Sequence, residues 1–95
     1  MKIVTLPKLR GHEPRELNGH EQLICANWLM PAKVFRALEL WINDACGAKT
    51  PPSMIERLQG DAYMEMVNVR RRKYSPIAAC ASLRFYFRVQ WGLAL

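Results

Sequence analysis

The 95-residue chain carries 14 lysines and arginines against 8 acids, a net charge of +6, and 51% of its residues are hydrophobic. One domain of this length can bury a modest core, and three Trp, three Tyr, three Phe and five Met exclude a disordered chain. Cys25, Cys46 and Cys80 are widely spaced and odd in number, which excludes the paired framework of a small secreted domain and points to free thiols in a reducing cytoplasm.

Residues 1–17 read as an extended arm. Lys2 to Leu6 has the composition of a short strand, while Pro7, Gly11 and Pro14 forbid a helix. Gly-His-Glu occurs at residues 11–13 and again at 19–21, too little to define a structural repeat. Residues 18–95 form the domain proper. Asn18 with Glu21 three positions on has the form of a capping box, so a helix starts here and stops before Pro31.

Pro31 suits the first turn of the next helix, about residues 32–46. There Val34, Leu38, Trp41 and Ala45 make an apolar stripe, widened by Phe35 and Ile42 and opposed by Arg36, Glu39 and Asn43. Gly47 supplies a left-handed stop. After the rigid connector Thr50-Pro51-Pro52, Ser53 and Glu56 repeat the capping pattern. Gly60-Asp61 allows two readings: a helix that runs through, or a break with a second helix over 62–73. Ile55, Leu58, Ala62, Met66 and Val69 keep helical phase across it.

Ser75-Pro76 opens a last helix, rich in alanine over 77–82. Residues 83–91 satisfy two periods. Leu83, Phe85, Phe87, Val89 and Trp91 alternate with Arg84, Tyr86, Arg88 and Gln90 as in a strand, while Cys80, Leu83, Phe87 and Trp91 form a helical stripe. The start signal favours the helix. The expected fold is all-α or mostly α: a small single domain of four to five short helices, with a short N-terminal or C-terminal strand as its variant. No stretch reaches the roughly 18 apolar residues of a membrane span, since residues 77–95 carry Arg84 and Arg88.

Charge is unevenly placed. Residues 1–15 carry a net +3, residues 16–65 a net −3, and residues 66–95 hold Arg70, Arg71, Arg72, Lys73, Arg84 and Arg88 with no acid. A single-sign face attracts polyanions, phosphate above all, although a solvated helix end produces the same pattern.

Catalytic signals are absent. No nucleophile elbow or Gly-rich phosphate loop occurs, and no carboxylate pair is tied by spacing to a histidine. His20 and Cys25 are a weak nucleophile pair, and no C-x-x-C anchors a zinc site. The reading is a non-enzymatic binding protein, with no cofactor or metal, that contacts nucleic acid or a nucleoprotein complex as a regulator or accessory subunit.

Two arrangements would serve. A helix–turn–helix at 53–73 would bring Arg70, Arg71, Arg72 and Lys73 to phosphate, its leading residues Ala62 to Glu65 being poor readers of bases. A strand at 83–91 would show Arg84, Tyr86, Arg88 and Gln90 on one face, with Tyr86 stacking on a single-stranded base. The alternative partner is a larger protein with an acidic patch, met by the basic, aromatic and apolar C-terminal surface of an adaptor or inhibitor. The apolar ending Leu93-Ala94-Leu95 supports packing into a core or a partner.

Overall fold

The structure, a computed structural model, describes residues 16–93. Four helices account for it: α1 (Gly19–Ala26), α2 (Pro31–Cys46), α3 (Pro52–Arg71) and α4 (Pro76–Trp91). The strand expected at Lys2 to Leu6, most of the arm, and Ala94 and Leu95 lie outside the described residues.

The helix starts follow local chemistry. Glu21 N–H donates to Asn18 Oδ1 at 2.8 Å and Asn18 N–H donates to Glu21 Oε1 at 3.0 Å, completing the capping box of α1. Ser75 Oγ caps α4 by accepting from Ala78 N–H at 3.2 Å, with Pro76 in the first turn. The start of α3 differs from the sequence expectation. Pro51 is the N-cap and Pro52 the first helical residue, so Ser53 lies inside the first turn and caps nothing. Proline at the first position needs no N–H partner and arrives with a helical φ, which moves the cap from Ser53 back two residues to Pro51.

Gly60 does not break α3, which runs unbroken for 20 residues. The preserved phase of Leu58, Ala62, Met66 and Val69, all buried, carries the helix across a glycine whose cost is about 1 kcal/mol against alanine. The helix–turn–helix reading of 53–73 is thereby overturned. The strand reading of 83–91 also falls, because these residues belong to α4. Burial explains the outcome: Leu83 and Phe87 are buried, whereas Phe85 and Val89 of the same alternation are each 60% exposed.

Each helix packs on the next, and α4 closes against α1. Successive helices run antiparallel, as short connections require. His20 of α1 meets Asp44 of α2 at 2.6 Å. Asn43 and Phe35 of α2 meet Gln59 and Tyr63 of α3 respectively. Burial, aided by a hydrogen bond to Glu39 and its charge, pushes the Tyr63 hydroxyl up to about 12. The core crosses the bundle between α2 and α4, where Trp41 and Phe87 pack edge-to-face with centroids 5.5 Å apart. Half-buried Trp91 and Leu93 pack against this core, while Gly92 between them is exposed. Among the described residues, no helix is long and apolar enough to cross a membrane.

Candidate polyanion interface

Antiparallel packing brings the α1–α2 connection and the α3–α4 connection to the same end of the bundle. Arg70 ties them together. Its Nη1 donates to the Trp28 carbonyl at 2.8 Å, and its guanidinium lies 4.5 Å from the centre of the Trp28 ring. Such a charge-assisted bond with a cation–π contact holds a loop firmly. Arg70 is thus a structural clamp, half-buried rather than presented to solvent.

The three residues after it are presented. Arg71, Arg72 and Lys73 are exposed, and Arg71 Nη2 donates to Asn68 Oδ1 at 3.2 Å. Among the described residues, none of the three meets a carboxylate. Their placement depends on how α3 stops. Tyr74 N–H reaches Val69 O at 3.1 Å and Lys73 N–H reaches Arg70 O at 3.0 Å, the bond pair of a Schellman motif. That motif needs a left-handed residue, and Lys73 occupies it at φ 60°, a place where glycine is the usual choice. By contrast, α4 ends with Gly92 in the left-handed region.

The first turns of α2 add two bases outside the candidate set. Lys33 and Arg36 stand exposed in the first turns of α2, with Arg36 in a loose pair with Glu39 at 3.5 Å. Residues 27–36 and 68–78 together hold Lys33, Arg36, Arg70, Arg71, Arg72 and Lys73 and no acid. The antiparallel α2–α3 pair was the signal for this grouping, since it sets the start of α2 beside the end of α3.

The remaining candidates part company. Arg84 faces inward: its Nη2 donates to Glu21 Oε1 at 2.9 Å, and its guanidinium lies 5.8 Å from the Trp41 ring centre. Tyr86 is half-buried and packs edge-on to Phe87 with centroids 6.0 Å apart. Arg88 is exposed in the last turn of α4, about 18 Å along the helix from Pro76 at 1.5 Å per residue. Helical geometry turns Tyr86 away from the face that Arg84 and Arg88 share, whereas a strand would have aligned all three. Glu21 draws Arg84 inward while Arg88 stays exposed.

Elsewhere, the Cys80 thiol of α4 donates to the Glu21 carbonyl of α1 at 3.9 Å, and the Cys80 side chain holds the half-exposed Cys25 thiol below its ordinary range against burial and the charge of Glu21. Burial pushes the Cys46 thiol up. Among the described residues, no group of three or more His, Cys, Asp or Glu could hold a metal ion. Compared with protein families, curated proteins and solved structures, the chain matches none of them.

Proposed function

We propose that the chain is a small, non-enzymatic binding protein of the cytoplasm that contacts nucleic acid or a nucleoprotein complex as a regulator or accessory subunit. The contact runs through Arg71, Arg72, Lys73 and Lys33, with Arg88 as an outlying contact. One observation carries the reading: Arg71, Arg72 and Lys73 stand exposed together at the end of α3 and, among the described residues, meet no carboxylate. Each phosphate neutralised there releases a counterion. Arg84 and Arg70 contribute by building the bundle and its loop.

The test is binding of the purified protein to duplex DNA, single-stranded DNA and RNA across a salt series. Micromolar or tighter binding that falls steeply with salt supports phosphate contact, with a slope that counts the phosphates engaged. No binding at low salt overturns the proposal. It would favour the second reading, an adaptor or inhibitor docked on an acidic protein surface. Exposed Phe85 and Val89, on α4 with Arg88, support that second reading.

A further inference from the structure

The basic end carries one apolar feature that phosphate contact leaves unused. Leu29, in the α1–α2 connection, is 90% exposed. Its backbone is nevertheless fixed on both sides. Met30 N–H donates to Asn27 O at 2.8 Å, Val34 N–H donates to Met30 O at 3.1 Å, and Arg70 holds Trp28 O from α3. Pro31 stiffens the exit. The result is a bare leucine on a rigid mount, next to Trp28 on which Arg70 is seated, with exposed Arg71, Arg72 and Lys73 following Arg70 at the end of α3.

Resting on the nucleic-acid reading, we infer that the partner is double-stranded DNA and that Leu29 enters its minor groove as a wedge between base steps. Arg71, Arg72, Lys73 and Lys33 then hold the phosphates beside the groove. Aliphatic wedges flanked by cations are the side chains that unstack a minor-groove step, and the kink they produce brings more backbone against the protein. Single strands call for open aromatic faces. At this end Trp28, Phe35 and Tyr74 are all half-buried, and Trp28 lies under Arg70. The shallow minor groove of A-form RNA, lined with hydroxyls, offers a leucine little. One projecting leucine beside the partly covered Met30 is also too small an apolar face to anchor on a bilayer, where binding scales with buried apolar area. Lys73 adds a second sign, because a lysine kept where glycine is favoured holds backbone strain at the charged edge itself.

The experiment compares the wild type with Leu29→Ala and with Arg71→Gln/Arg72→Gln. The probes are a short AT-rich duplex containing 2-aminopurine, the matching single strand, and phosphatidylserine vesicles. Leu29 is exposed, so circular dichroism should show both variants folded. The wild type should prefer the duplex and raise 2-aminopurine fluorescence through unstacking. Leu29→Ala should bind about tenfold more weakly, lose the fluorescence rise and keep the salt slope. The arginine variant should lose about two units of salt slope and keep the fluorescence rise at saturation. Equal duplex affinity and equal fluorescence for Leu29→Ala overturn the wedge while leaving phosphate contact standing. Preference for the single strand also overturns it. Binding to vesicles alone, or to none of the probes, overturns both the wedge and the nucleic-acid reading beneath it.

Discussion

Glu21 Oε1 accepts from Arg84 Nη2 at 2.9 Å and from the Asn18 N–H at 3.0 Å, so one carboxylate oxygen both caps α1 and ties it to α4. Glu21 is fully buried, and the Arg84 side chain is only 16% exposed. Removing one member of such a pair strands the other charge, at about 3–5 kcal/mol, while removing both can be nearly neutral. Arg84→Met should therefore cost several kcal/mol by that measure, and Glu21→Gln/Arg84→Met should recover much of it. Urea unfolding of the two singles and the double gives the coupling directly. An Arg84→Met loss under about 1 kcal/mol, the level of a surface pair, would mean that this contact holds nothing together.

The run from Arg70 to Arg72 should divide by function. Arg70 makes a charge-assisted bond worth about 1.5–3 kcal/mol and a cation–π contact worth about 0.5–1 kcal/mol, both to Trp28. Arg70→Gln should lower the unfolding midpoint. Arg71→Gln and Arg72→Gln should stay within about 0.5 kcal/mol of wild type, as exposed substitutions do, yet together reduce polyanion affinity about tenfold or more at low salt. Equal stability loss at all three positions would refute the division.

Lys73 sets stability against binding at a single residue. Left-handed geometry costs a side-chain-bearing residue roughly 1–2 kcal/mol, and glycine escapes that cost. Lys73→Gly should raise the melting temperature, with a gain on the order of 1 kcal/mol by that estimate, and should remove about one unit from the salt slope of binding. If glycine proved no more stable, the strain assigned to φ 60° would be wrong.

Where local chemistry decides, the sequence was a sound guide. Asn18 with Glu21, Pro31, and Ser75 with Pro76 act within one turn of their own positions, and each helix start they signal is present. Ser53 misled because Pro52, one residue earlier, competes for the same start. The two-period stretch 83–91 needed burial to resolve it, since the exposed Phe85 and Val89 are as apolar as the buried Leu83 and Phe87. The site was harder to read. A charge count treats Arg70, Arg72 and Arg84 alike, whereas their roles depend on Trp28 and Glu21, residues 42 and 63 positions away from Arg70 and Arg84 respectively. Leu29 carries no sequence signal, because nothing in its neighbours distinguishes a tip leucine from a core one.

The thiol pair gives the last prediction. The Cys80 side chain, whose thiol also reaches the Glu21 carbonyl at 3.9 Å, holds the Cys25 thiol below its ordinary 9.0, while burial and the nearby Glu21 charge work the other way. Cys80 is fully buried and Cys46 is pushed up by burial. Because the thiolate is the nucleophile, iodoacetamide should label Cys25 first in the folded protein. Its rate should rise with pH through a midpoint below that of the unfolded chain, with Cys80 protected until unfolding. Replacing Cys80 with alanine removes the one lowering influence and leaves the two raising ones. The Cys25 midpoint should then move above the ordinary value, and labelling near neutral pH should slow. Mass spectrometry of the alkylated peptides across a pH series reads both effects, and an unmoved midpoint in Cys80→Ala would show that the two sulfurs do not interact.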